Sequence, residues 1–223
     1  MAQKPKSPIR RKSKPAAKPK KSAKSQKPRA PLSIFSILDE ALNFLRTIQP
    51  GLRAAAPLPA GTVGPELPFT APVFGRMILA SAMQGNQGSI IWTKDDSELE
   101  VTTGKITVNL GDGLILFNIP VTCDQASGAT VQVPFAVGGT NSPAGLLMAT
   151  EDQPRGPDAV VIVWSDALHA YAFKLLMTVV TQAAAAAGTD ADGAPLIPIA
   201  ITANSDQVTV LTMARHTFDR VAS

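Results

Sequence analysis

Cysteine occurs once in these 223 residues, at Cys123, and histidine twice, at His169 and His216. A lone cysteine excludes an intrachain disulfide and any metal cluster built from cysteines. Acidic residues are missing from the whole N-terminal stretch before Asp39. Twelve of the 21 Lys and Arg residues fall between Lys4 and Arg29, so the first 30 residues carry +12. The remaining nine basic residues face all seventeen acidic ones, which leaves the rest of the chain at −8. The overall +4 therefore conceals two segments of opposite sign.

The basic segment also lacks aromatics, which removes base stacking as a binding mode for it. Ile9 is its one large apolar residue after Met1, so no apolar run of the kind a secretory signal needs is reached. Arg10-Arg11 is followed by Lys12-Ser13-Lys14-Pro15, where a twin-arginine signal needs a hydrophobic stretch. Prolines at 5, 8, 15, 19 and 28 break every window in which a presequence helix would form. The expectation is a protein inside the cell or in a virion, with no export by these routes.

Residues 1–31 are too poor in apolar side chains to offset the entropy of ordering and read as a disordered basic tail. Its cations, Lys4, Lys6, Arg10, Arg11, Lys12, Lys14, Lys18, Lys20, Lys21, Lys24, Lys27 and Arg29, are spaced by Pro, Ser and Ala. A flexible cationic chain of this kind neutralises phosphates and releases their counterions without reading bases. These twelve residues are the candidate nucleic-acid-binding site, for DNA or RNA without sequence preference. An anionic membrane or an acidic protein surface ranks below nucleic acid, and a solubilising tail with no fixed partner is the plain alternative. The acidic remainder is repelled by phosphate, so binding should be led by the tail. The tail also has an internal competitor in Asp95, Asp96, Glu98 and Glu100. Ser7-Pro8 offers a site at which phosphorylation would weaken the tail.

From residue 32 the pattern changes. Ile34, Ile37, Leu38, Ala41, Leu45 and Ile48 recur at helical spacing, with Ser33 as N-cap and Pro50-Gly51 as stop, which predicts an amphipathic helix within 32–50. Its apolar stripe is expected to pack on its own body rather than on a neighbour or a membrane. Residues 51–75, with Pro57, Pro59, Pro65, Pro68 and Pro72, read as a Pro-rich linker or arm, part of it lying along a folded surface.

Residues 76–223 read as a β-rich α+β body, an antiparallel or mixed sheet with one long helix. Period-two alternation marks strands through Leu99 and Val101, through Ile106 to Leu110, and through Val131 to Phe135. Gly111-Asp112-Gly113 predicts a hairpin over 105–121. Further strands are expected near 89–93, 145–149, 159–164, 196–203 and 207–214, with Pro134 and Pro198 at edges or bulges. The long helix is expected at about 166–187, capped by Ser165 or Asp166 and stopped by Gly188. Its apolarity raises a membrane span, but polar residues from His169 to Gln182 interrupt it, and packing on the sheet is the plainer reading.

Catalytic and metal-binding patterns are scarce. A hydrolase based on Cys123 or a serine needs a nearby histidine and an orienting acid, and no nucleophile elbow is present. P-loop, dinucleotide and zinc patterns are missing as well, so neither a cofactor nor a metal is expected. Asp95-Asp96-Ser97-Glu98 lacks calcium-loop spacing, and Asp190-Ala191-Asp192-Gly193 and Gly138-Gly139-Thr140 read as turns. His169 beside Tyr171 and Trp164 reads as a core histidine.

The expected function is a non-enzymatic structural or assembly protein that forms homo-oligomers through its β-rich body and holds nucleic acid through its tail. The order of parts, a basic arm, a connecting segment and a β-rich domain, is similar in layout to coat proteins of small viruses. That similarity rests on charge and order, and implies a coat-like or packaging role. The competing expectation is an enzyme or small-ligand-binding domain whose tail serves only for localisation.

Overall fold

The alternation in 97–136 folds as its period requires, into antiparallel strands with one face buried. The computed structural model describes residues 32–40, 43, 64–140, 153–215 and 217. The basic tail, most of the segment 41–63 and the strand expected at 145–149 lie outside these residues.

The elements in chain order are β1 (Leu32–Ser33), α1 (helical residues 34–40), β2 (Glu66–Thr70), α2 (Ala71–Met83), β3 (Ile90–Lys94), β4 (Ser97–Val101), β5 (Thr107–Gly111), β6 (Leu114–Cys123), β7 (Ala126–Ala136), α3 (Asp158–Ala186), β8 (Leu196–Ala203) and β9 (Gln207–Ala214). This is the expected α+β body, strand-dominated with one long helix. The larger sheet is a meander. β3 pairs β4, and β6 pairs β7 along its full length, all antiparallel. β4 and β5 lie end to end along the other edge of β6, β5 against Leu114–Asn118 and β4 against Val121–Thr122. A 3-10 turn at Thr103–Lys105 separates them, so they act as one strand bent in the middle. β1 adds a short parallel pair, Leu32 opposite Trp92.

Three tight hairpins fix the register. Their two-residue loops are Asp95-Asp96, Asp112-Gly113 and Asp124-Gln125. The middle one is shorter than the three-residue connection expected, because Gly111 still pairs with Leu114. Gly113 takes φ +70°, the left-handed conformation that glycine supplies without strain.

A second sheet, β2-β9-β8, is wholly antiparallel. Pro198 lies in β8 beside a register shift between Pro198 and Ala200, and Pro134 lies in β7 at the end of the larger sheet, as their missing N–H groups demand. The two sheets are stitched where the chain leaves β7. Gly113 donates to the Ala203 carbonyl at 3.0 Å, and Gly138 exchanges backbone hydrogen bonds with Ile201 and Ala203.

α2 and α3 pack together, and α3 also packs on β7, β8 and β9. A common core joins Trp92, Phe117, Val133, Ile78, Leu168, Val208 and their neighbours from both sheets and both helices. The outward face of the larger sheet carries a row of polar side chains. Thr107, Asn118 and Gln132 form a hydrogen-bonded row across β5, β6 and β7, and Glu98 and Glu100 are exposed on β4.

Two expectations need correction. Residues 159–164 are not a buried strand: α3 begins at Asp158, eight residues before the expected start, and runs for 29 residues. A strand would place positions 160, 162 and 164 on one face. Instead Val160 and Trp164 are buried while Ile162 is 79% exposed, the spacing of a helix. Ser165 and Asp166 lie inside the helix, and Pro157 precedes it. The C-terminal end is as expected, with Gly188 at φ +95° just beyond it. The Pro-rich reading of residues up to 75 also runs too far. Glu66–Thr70 pairs with β9 as an edge strand, where Pro68 is tolerated, and Pro72 sits in the first turn of α2.

α3 is long and apolar enough to cross a membrane by length and composition. Its buried residues run from Val160 to Ala184 against the sheets and α2, which makes it the central helix of this core.

Candidate functional site

The twelve cations proposed to bind nucleic acid all precede residue 30 and lie outside the described residues. The described residues supply the other half of the charge pattern. They hold six basic side chains against fourteen acidic ones, and the basic ones are dispersed over α2, β3, α3 and connecting segments. Lys94 donates to the Val163 carbonyl at 3.3 Å, and Lys174 pairs with Glu40.

The catalytic candidates do not converge. His169 packs against Phe135, with ring centroids 5.1 Å apart. Cys123 sits at the far end of the same strand pair, opposite Ala126. Phe135 and Ala126 are nine residues apart on β7, about 30 Å at the rise of a strand. His169 and Cys123 therefore form no nucleophile–base pair. Burial lowers the pKa of His169 below its usual 6.5, and the negative charge of Asp166 partly opposes that shift. His216 lies outside the described residues.

The acidic segments are turns. Asp95 and Asp96 make the β3–β4 hairpin, and Asp190 accepts hydrogen bonds from the backbone of Asp192 and Ala194. Among the described residues no group of three His, Cys, Asp or Glu side chains is placed to hold a metal ion. Asp112 has a structural task. Its Oδ1 accepts from the Thr140 amide at 2.7 Å and the Thr140 hydroxyl at 2.8 Å, and these bonds lower its pKa. They hold the segment after β7 against the β5–β6 turn.

One concave feature of the described body was not legible in the sequence. A cleft of about 260 Å³ opens between α1, the C-terminal end of α2, β3 and α3. Ser33 caps α1 by accepting from the Phe35 amide, and Ile34 and Ile37 are buried in the core. This turn of helix thus packs on its own body, as expected, and forms one wall. Leu32, Ile37, Ile90 and Leu175 make the wall apolar, and Glu40 and Lys174 stand in the lining as an ion pair.

Trp92 and Tyr171 also line the cleft and meet edge to face, ring centroids 5.4 Å apart. The Trp92 Nε1 and the Tyr171 hydroxyl are shielded from solvent and have no hydrogen-bond partner among the described residues. Burial pushes the Tyr171 pKa far up, so the phenol stays protonated and is a donor. The residues come from four elements without a shared motif. The one available signal was rarity, since the chain has one tyrosine and two tryptophans.

No protein-family model matches the chain, and no curated protein or solved structure is significantly similar to it.

Proposed function

We propose that the protein is a non-enzymatic assembly component that holds nucleic acid through its N-terminal tail and oligomerises through its β-rich body. The observation that carries this reading is the separation of charge. The tail gathers twelve cations without an acid, whereas the described body is net −8, with its outward sheet face bearing Glu98 and Glu100. A phosphate backbone attracts the first and repels the second. Binding is therefore tail-led, and the body faces away from the nucleic acid. The low charge of the body and its exposed Phe35 and Ile162 support contact between subunits.

Deleting residues 1–31 tests the reading. Retention on DNA and RNA is lost, while the thermal transition and the oligomer size by light scattering are unchanged. A truncated protein that keeps full affinity rules out the tail as the binding element, and a full-length chain that stays monomeric with and without nucleic acid rules out assembly.

A further inference from the structure

We infer that the cleft between α1, α2, β3 and α3 is a binding site for a small amphipathic carboxylate, a function separate from the tail. Buried polar groups in folded proteins are nearly always hydrogen-bonded, and leaving one unpaired is costly. Here two such groups, the Trp92 indole N–H and the Tyr171 hydroxyl, occur on neighbouring rings in the wall of one cleft. Trp92 is fully buried and Tyr171 is 9% exposed. The indole N–H is only a donor and the neutral phenol donates readily, so the group that completes them is an acceptor.

The rest of the lining selects the molecule further. Leu32, Ile37, Ile90 and Leu175 suit a short hydrocarbon chain, and Lys174 supplies a positive charge beside it. Glu40 opposes an anion, but its pair with Lys174 is solvent-accessible, at 39% and 55% exposure. Pairs of that kind contribute little and exchange partners readily. An incoming carboxylate takes Lys174 from Glu40 and accepts from Tyr171 and Trp92. The cleft is smaller than the roughly 300–1,000 Å³ of drug-sized sites, which limits the occupant to a short chain. Because both donors lie behind the surface that water reaches, binding includes a small opening of the wall at Tyr171.

The chain's two tryptophans give two indole N–H resonances, so titration of ¹⁵N-labelled full-length protein with hexanoate reads the site directly. The Trp92 resonance is expected to move downfield and saturate at low-millimolar hexanoate while that of Trp164 stays in place. Hexanol, which keeps the chain and an acceptor oxygen but lacks the charge, binds more weakly, and hexylamine does not bind. Tyr171→Phe weakens hexanoate about two- to tenfold, the worth of one hydrogen bond. Lys174→Met, at a partly exposed position, weakens hexanoate but not hexanol. An unmoved Trp92 resonance overturns the proposal, as does hexylamine binding as well as hexanoate. Hexanoate affinity unchanged from the native chain in both Tyr171→Phe and Lys174→Met also overturns it, since the edge-to-face ring pair would then be packing alone.

Discussion

His169 shows how the fold sets the consequences of a single side chain. Its position beside Tyr171 and Trp164 indicated a core histidine, but in the fold it is half-buried at the margin of the core, its ring against Phe135. Its lowered pKa means that the unfolded chain binds the proton more tightly than the folded one. Stability therefore falls as pH drops through the window just below 6.5, where the unfolded state gains a proton that the native state refuses. Urea denaturation of His169→Gln at pH about 5.5 and about 7.5 should show a smaller difference between the two than the native chain does. Glycine gives a second test at this scale. Both Gly113 and Gly128 have positive φ, but a Cβ at Gly113 meets the Val137 carbonyl at 3.3 Å whereas one at Gly128 meets open space. Gly113→Ala should cost about 1–2 kcal/mol from the left-handed conformation and more from the contact, so its denaturation midpoint falls below that of Gly128→Ala. Trp92 and Tyr171 illustrate the opposite case. Their missing partners are a property of packing, and no local pattern announces them.

Among the elements, the strands of the meander were legible because alternation and turn chemistry agree: Asp112-Gly113 can close a two-residue loop, and the flanking apolar residues then fall on one face. α3 was legible from Asp166 onward but not in its first eight residues. Ala159 to Trp164 is a continuous apolar, largely β-branched run, and such a run fits a buried strand as well as a helix until its neighbours are known. Packing against α2 and the sheets decided for the helix. Lysine substitutions separate the two outcomes. Ile162→Lys should stay within about 0.5 kcal/mol of the native chain, whereas Val160→Lys buries an unpaired charge and should cost more than about 4 kcal/mol by urea denaturation. β2 was missed because its prolines hid an edge strand, in which only alternate residues direct their N–H and C=O groups at the one partner strand.

On the scale of the whole molecule the governing quantity is the opposition between tail and body. If about half of the tail's charges engage phosphates on duplex DNA, log K should fall with log salt with a slope of roughly −5, measured by fluorescence anisotropy. Reversing Glu98 and Glu100 to lysine should strengthen DNA binding at low salt and steepen that slope, because the body then repels the duplex less. No change in either quantity would mean that the body stands too far from the nucleic acid to matter. The charge division, the exclusion of an intrachain disulfide, the meander strands and the α+β class are determined by the sequence alone, since each follows from composition or from short-range period. The start of α3, the edge strand β2, the seam at Gly138 and the cleft that gathers Trp92, Tyr171, Lys174 and Glu40 were decided by the tertiary structure. Each depends on which distant surfaces meet, and a one-dimensional pattern carries no record of that.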